Sequence, residues 1–203
     1  LVGSEMCIRD SYVHDLARAE AFYTKSLGFK RIGVSTAAAE AHDGMRRLVL
    51  AGGPKIHVIL SQPLKDWSVA ASYLRLHPEG IGFLNFRVSN LEKAVSFLKS
   101  RRATFLYEPQ VARDERGEFA QVAMATALDD VNYRLVDDSR YDGFGPAFKL
   151  DQKPGSYVSP LGFTEIDHFT ANVRTLQPLA SFYRDVLGFE KFWEIEFHTN
   201  DVN

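Results

Sequence analysis

Within the stretch TEIDHFTANV (Thr164–Val173), an aspartate stands directly before a histidine. A neutral imidazole binds a transition metal through one ring nitrogen while a hydrogen bond holds the other. The stretch reads as a β-strand, in which residues 166, 168 and 170 point to one face and 167, 169 and 171 to the other. His168 then shares a face with Ile166 and Thr170, and Asp167 on the opposite face is no co-ligand but a surface or turn hydrogen-bonding group. On pattern alone, a single histidine in a strand is more often structural than metal-binding. The other five histidines offer less. His57 alternates with Lys55 and Ile59 on the more polar face of a strand, His14 abuts a helix cap, His42 lies in an AHDG loop, and His77 precedes Pro78 at a helix end. His198 follows a strand-like stretch and reads as a pocket-rim or surface residue. No Ser-His-Asp order, P-loop or GxGxxG is present, and Asp114 and Glu115 read as a solvated turn.

The elements that must position His168 come from a repeat. VHDLARAEAF from Val13, VSNLEKAVSF from Val88 and VRTLQPLASF from Val173 superimpose without gaps, at spacings of 75 and 85 residues. Asp15, Asn90 and Thr175 stand where a side-chain oxygen caps a helix start. The following apolar residues fall at helical spacing and form one buried stripe. Pro178 falls in a first helical turn, where its missing N–H is harmless. Gly28 and Gly188 fall where a left-handed residue ends a helix. A strand precedes each helix, clearest in IGFLNFRV and IDHFTANV. Further strands follow, in RRLVLAG, KIHVILS, FAQVAMAT and VNYRLVD. The unit is β-α-β-β-β, present twice whole and once in part. The aromatic residues Phe22, Tyr23, Phe29, Phe182, Tyr183 and Phe189 recur at equivalent positions and read as core.

Residues 1–11 (LVGSEMCIRDS) have neither period nor signal-peptide anatomy and resemble translated adapter read-through, so they are expected to be a non-native leader. The two whole units make a first domain over 12–137, joined through a short helix expected in DWSVAASYL. A Gly/Pro/Ser/Asp-rich connection follows over 138–163, and a second domain is expected to begin at 164 and to be cut short at 203. A hydrophobic content of 45% with 25% charged residues is that of an ordinary globular protein. A net charge of −2 without basic clusters argues against a nucleic-acid partner. No apolar run approaches the roughly 20 residues of a membrane span. The lone Cys7 rules out a disulfide within the chain and fits a reducing cytoplasm.

A repeated β-α-β-β-β unit with FYxxxLGF after its helix resembles the vicinal oxygen chelate superfamily. The ordered series RLVDDSRYDGFGPAF, IDHFTANV and FYRDVLGFEKFW is similar, within it, to the 4-hydroxyphenylpyruvate dioxygenase family. The resemblance implies an α+β fold whose paired units curl into a half-barrel, a metal-free first domain, and a second domain holding Fe(II) through two His and one Glu. His168 matches the first of those ligands. The other His and the Glu would lie beyond residue 203, so this chain alone is expected to be inactive. Phe83 and Ile8 occupy the position of His168 in the other two copies, and Phe83 cannot bind a metal. Thr170 would line the substrate pocket. The implied reaction converts a 2-oxo acid, 4-hydroxyphenylpyruvate, and O2 to homogentisate and CO2 in an enzyme that assembles as a homo-oligomer when full length. The alternatives are 4-hydroxymandelate synthase, an extradiol ring-cleaving dioxygenase, and a non-catalytic small-molecule-binding protein of the same fold.

Overall fold

The computed structural model describes residues 5–194, with side chains from residue 8 onward. The first unit comprises β1 (Glu5–Tyr12), α1 (Leu16–Ala21), β2 (Lys30–Ser35), α2 (Ala37–Asp43), β3 (Met45–Gly53) and β4 (Ile56–Pro63). Helix α3 (Val69–Leu76) leads to the second unit, which comprises β5 (Gly80–Arg87), α4 (Leu91–Ser100), β6 (Gln110–Asp114), β7 (Gly117–Met124) and β8 (Asn132–Tyr141). A short β9 (Phe148–Leu150) and α5 (Leu176–Ser181) complete the order.

Nine strands form one mixed sheet, ordered β6-β7-β8-β5-β1-β4-β3-β2-β9, curled into a half-barrel. Each unit runs first-fourth-third-second, its first and fourth strands parallel. The two units join through the antiparallel pair β1–β5, where Ile8 faces Asn85, Arg9 faces Leu84 and Asp10 faces Phe83. Ile8 and Phe83 are repeat equivalents, as are Asp10 and Asn85. A pseudo-twofold axis therefore passes through the Arg9–Leu84 pair. Residues 5–11, expected to form no element, instead lie in the middle of the sheet. Two neighbouring strands satisfy their backbone, which outweighs the missing period of the sequence.

The helices form where the caps predict. Asp15 Oδ1 accepts from Arg18 N (2.9 Å) and Asn90 Oδ1 from Lys93 N (2.8 Å). Thr175 sits at the third start without a side-chain cap bond. The first and third helices then widen identically into π-type turns, Phe22–Ser26 and Phe182–Val186. The backbone N–H of Phe29 donates to Tyr23 O (3.0 Å), and that of Phe189 to Tyr183 O (2.9 Å). Gly28 (φ +64°) and Gly188 (φ +72°) allow the reversal. His42, expected in a loop, belongs to the last turn of α2, because Thr36 caps its start and Gly44 (φ +69°) ends it.

Strands β3 and β4 read as near-continuous apolar runs because both faces are covered. Leu48, Leu50, Val58 and Leu60 pack outward beneath Leu16 and Phe29. Val49, Ala51 and Ile59 point inward, against Phe144 and Phe148 from the connection. In the second unit, Leu84, Val122, Met124 and Leu135 meet Leu91, Val95 and Leu98 of α4. The connection is thus no loose tether. It fills the concave side and lays β9 along Gly33–Ser35 of β2.

The strand expected in IDHFTANV is not formed, and Lys191–Glu194 is likewise unpaired. Among the described residues no strand lies beside either stretch, and an isolated strand cannot satisfy its own backbone. The π-turned helix of this third unit still packs, with Leu187 buried in the second unit's core.

Candidate functional site

The segment carrying the Asp-His pair is anchored on both sides by apolar contacts. Ile166 packs against the first unit's outer core and Phe169 against the second's. Between them His168 stands 71% exposed. Its Nδ1 is hydrogen-bonded to Asp167 Oδ2, which leaves the lone pair of Nε2 in the neutral ring open to a metal. The opposite-face expectation for Asp167 is therefore corrected: without strand geometry the two side chains lie together. This carboxylate–imidazole contact is how metal-ligating histidines are commonly oriented. Exposed on both sides, it adds little stability.

Thr170 does not join His168. It lines a cavity of about 770 Å³ with Phe169, Arg174, Tyr183 and, from the second unit, Leu84 and Tyr133. The phenol oxygens of Tyr133 and Tyr183 are hydrogen-bonded across it. Asp167 instead borders a separate cavity of about 470 Å³, together with Lys55, His57, Arg87 and Phe144. His198 lies outside the described residues.

Sequence reasoning missed His57. It is 6% exposed, not a polar-face residue. The ring of Phe144 stands edge-on at 4.8 Å, and Nε2 is buried without a partner. Burial, reinforced by the charge of Arg87, lowers its pKa from 6.5 to about 4, so it is neutral at pH 7. Its alternation within the strand is visible in the sequence. The aromatic lid from 87 residues downstream (Phe144) is not.

Inside the half-barrel, a cavity of about 160 Å³ is lined by Asp10, Arg47, Asn85, Arg134 and Phe148. Its charges are engaged internally. Arg47 pairs with Asp43 (2.7 Å), Asp10 accepts from Ser61 Oγ (2.6 Å), and Arg134 donates to Asn85 Oδ1 (3.1 Å). The guanidinium of Arg134 also lies 4.5 Å from the ring centroid of Phe83. Both residues at the His168-equivalent position in this sheet, Ile8 and Phe83, are apolar.

The family model of the glyoxalase/bleomycin resistance protein/dioxygenase superfamily matches residues 10–135 and 165–202, the two whole units and the start of the third. The chain belongs to this superfamily. Proteins named 4-hydroxyphenylpyruvate dioxygenase are among its curated relatives. That of Dictyostelium discoideum is 24% identical over 198 residues, covering 93% of this chain and 53% of its own length. That of Caenorhabditis briggsae is 26% identical over 147 residues, covering 70% and 37%. The chain thus spans about half or less of the length of these relatives. Among solved superfamily structures, a triple mutant of 4-hydroxymandelate synthase from Streptomyces coelicolor superimposes with a TM-score of 0.72 over 91% of this chain and 52% of that one, at 23% identity. That likeness bears on the fold. Among the described residues, no helix is long and apolar enough to cross a membrane.

Proposed function

We propose that this protein is part of an Fe(II)-dependent dioxygenase that converts 4-hydroxyphenylpyruvate and O2 to homogentisate and CO2. The observation that carries the reading is the oriented imidazole of His168. It occupies the repeat position at which the second copy holds Phe83, in a chain similar to 4-hydroxyphenylpyruvate dioxygenases.

The fit to iron is partial. His168 offers one well-oriented nitrogen, while a site of two histidines and a carboxylate needs three protein donors. Among the described residues no second histidine or further carboxylate converges on it. Iron, when bound, would supply the oxygen chemistry. The residues of this chain have simpler tasks. Asp167 fixes the ring so that Nε2 faces outward, and Thr170 with Tyr133 and Tyr183 lines the neighbouring cavity as a substrate wall. No reaction step is assigned to any of them. The reading places the enzyme in the cytoplasm, as a homo-oligomer of the longer chain.

A second reading, 4-hydroxymandelate synthase, is favoured by the solved neighbour that superimposes over 91% of the chain. Both readings are tested on a chain extended to the length of its relatives. Iron content, O2 uptake with 4-hydroxyphenylpyruvate and the product by mass spectrometry would be measured before and after His168→Ala. Homogentisate formation that vanishes with the bound iron supports the first reading, and hydroxymandelate selects the second. Turnover that survives His168→Ala, or absence of both iron and O2 uptake, overturns both.

A further inference from the structure

A second set of ligand-type groups lies well apart in sequence from His168. His77 ends α3, and the turn between β7 and β8 brings Asp129 and Asp130 to the same end of the sheet. One ligand atom from each lies within 4.8 Å of the others. His77 Nε2 is 2.7 Å from Asp130 Oδ2. Ligand atoms around a tetrahedral Zn²⁺, with bonds of about 2.1 Å, sit roughly 3.4 Å apart. The His77–Asp130 contact is shorter than that spacing, and no pair among the three atoms exceeds 4.8 Å, so modest side-chain rotation would reach it.

The site is held from both sides. The ring of Tyr73 lies 4.7 Å from that of His77 and limits its rotation. Thr126 ties the turn together, donating to Val131 O (2.6 Å) and accepting from Leu128 N (2.9 Å). Asp129 adopts φ +58°, which sets its carboxylate beside that of Asp130. Among the described residues the Asp129 carboxylate has no hydrogen-bond or ion-pair partner, and Asp130's has only His77. Among the described residues neither of the two carboxylates has a lysine or arginine partner. Asp129 and Tyr73 also border the 770 Å³ cavity, so a bound ion would have open positions toward a small molecule.

We propose that His77, Asp129 and Asp130 form a binding site for a divalent transition metal of the zinc type, separate from His168. One nitrogen and two carboxylate oxygens suit Zn²⁺ or Co²⁺ better than Ca²⁺ or Mg²⁺, which prefer oxygen donors alone.

The 203-residue chain, stripped with a chelator, would be titrated with Zn²⁺ by calorimetry and with Co²⁺ by visible absorption. The expected result is one equivalent bound, weakened roughly tenfold or more by His77→Ala and by Asp129→Asn and unchanged by His168→Ala. Asp129 is exposed and unpartnered, so its amide variant keeps the fold even if loss of the His77–Tyr73 contact does not. Failure of the wild-type chain to bind overturns the proposal. So does a titration that Asp129→Asn leaves unaltered, or one that His168→Ala abolishes.

Discussion

Acidification should destabilise this protein through one buried imidazole. His57 is neutral in the folded state, with a pKa lowered from 6.5 to about 4, chiefly by burial and secondarily by Arg87. The unfolded chain binds a proton there more readily than the folded one. The stability that goes with the neutral ring is complete above pH 6.5 and is lost as pH falls toward 4. At about 1.4 kcal/mol per pKa unit, the loss approaches 3 kcal/mol, a large share of the 5–15 kcal/mol typical of a domain. Because the ring is 6% exposed, solvent screens little of this. Carboxylates also titrate in this window, so the measurement must be a difference. Urea unfolding of wild type and His57→Leu would be followed at half-unit steps from pH 7.5 to 4.5. The wild-type free energy should fall relative to the variant, with a slope approaching 1.4 kcal/mol per pH unit below pH 6. Parallel curves would show that protonated His57 is accommodated, and the argument from burial would fail.

Three further outcomes follow from the packing. Leu98→Ala, at a fully buried position under the second unit, should destabilise by about 2–5 kcal/mol in urea unfolding. Gly28→Ala should be destabilising by about 1 kcal/mol or more, since φ is +64° and the new Cβ would stand 2.9 Å from Pro160 Cγ; a thermal melt reads this directly. His168→Ala should leave the melting curve of the 203-residue chain within about 0.5 kcal/mol of wild type. In that chain Fe(II) bound through His168 should be weak, and tight stoichiometric iron lost on His168→Ala would refute the single-donor reading.

The repeat made most of the fold legible. Asp15 and Asn90 begin helices in the same way because a side-chain oxygen beside free N–H groups needs no distant partner. The FYxxxLGF copies end in the same turn because Gly28 and Gly188 tolerate φ values that other residues avoid. What escaped depends on long-range pairing. Residues 5–11 become strand because β4 and β5 flank them, which no local period announces. The segment around His168 stays irregular for the opposite reason. The burial of His57 needs Phe144, and the meeting of His77 with Asp129 and Asp130 needs two turns some 50 residues apart to arrive at one end of the sheet. Local patterns state which side chains are present and how they alternate; they do not state which distant chain segment will close over them.

The two ends of the sheet differ in a way that bears on self-association. At one end β9 lies against β2, and its own backbone continues into a turn. At the other, β6 is mostly exposed and among the described residues pairs only with β7, while Arg113 and Glu118 form an ion pair across that hairpin. Growth of the sheet by recruitment of a foreign strand is therefore polarised. It can start at the β6 margin, where charge discourages it, whereas at the opposite margin the edge is the three-residue β9, too short to template much pairing.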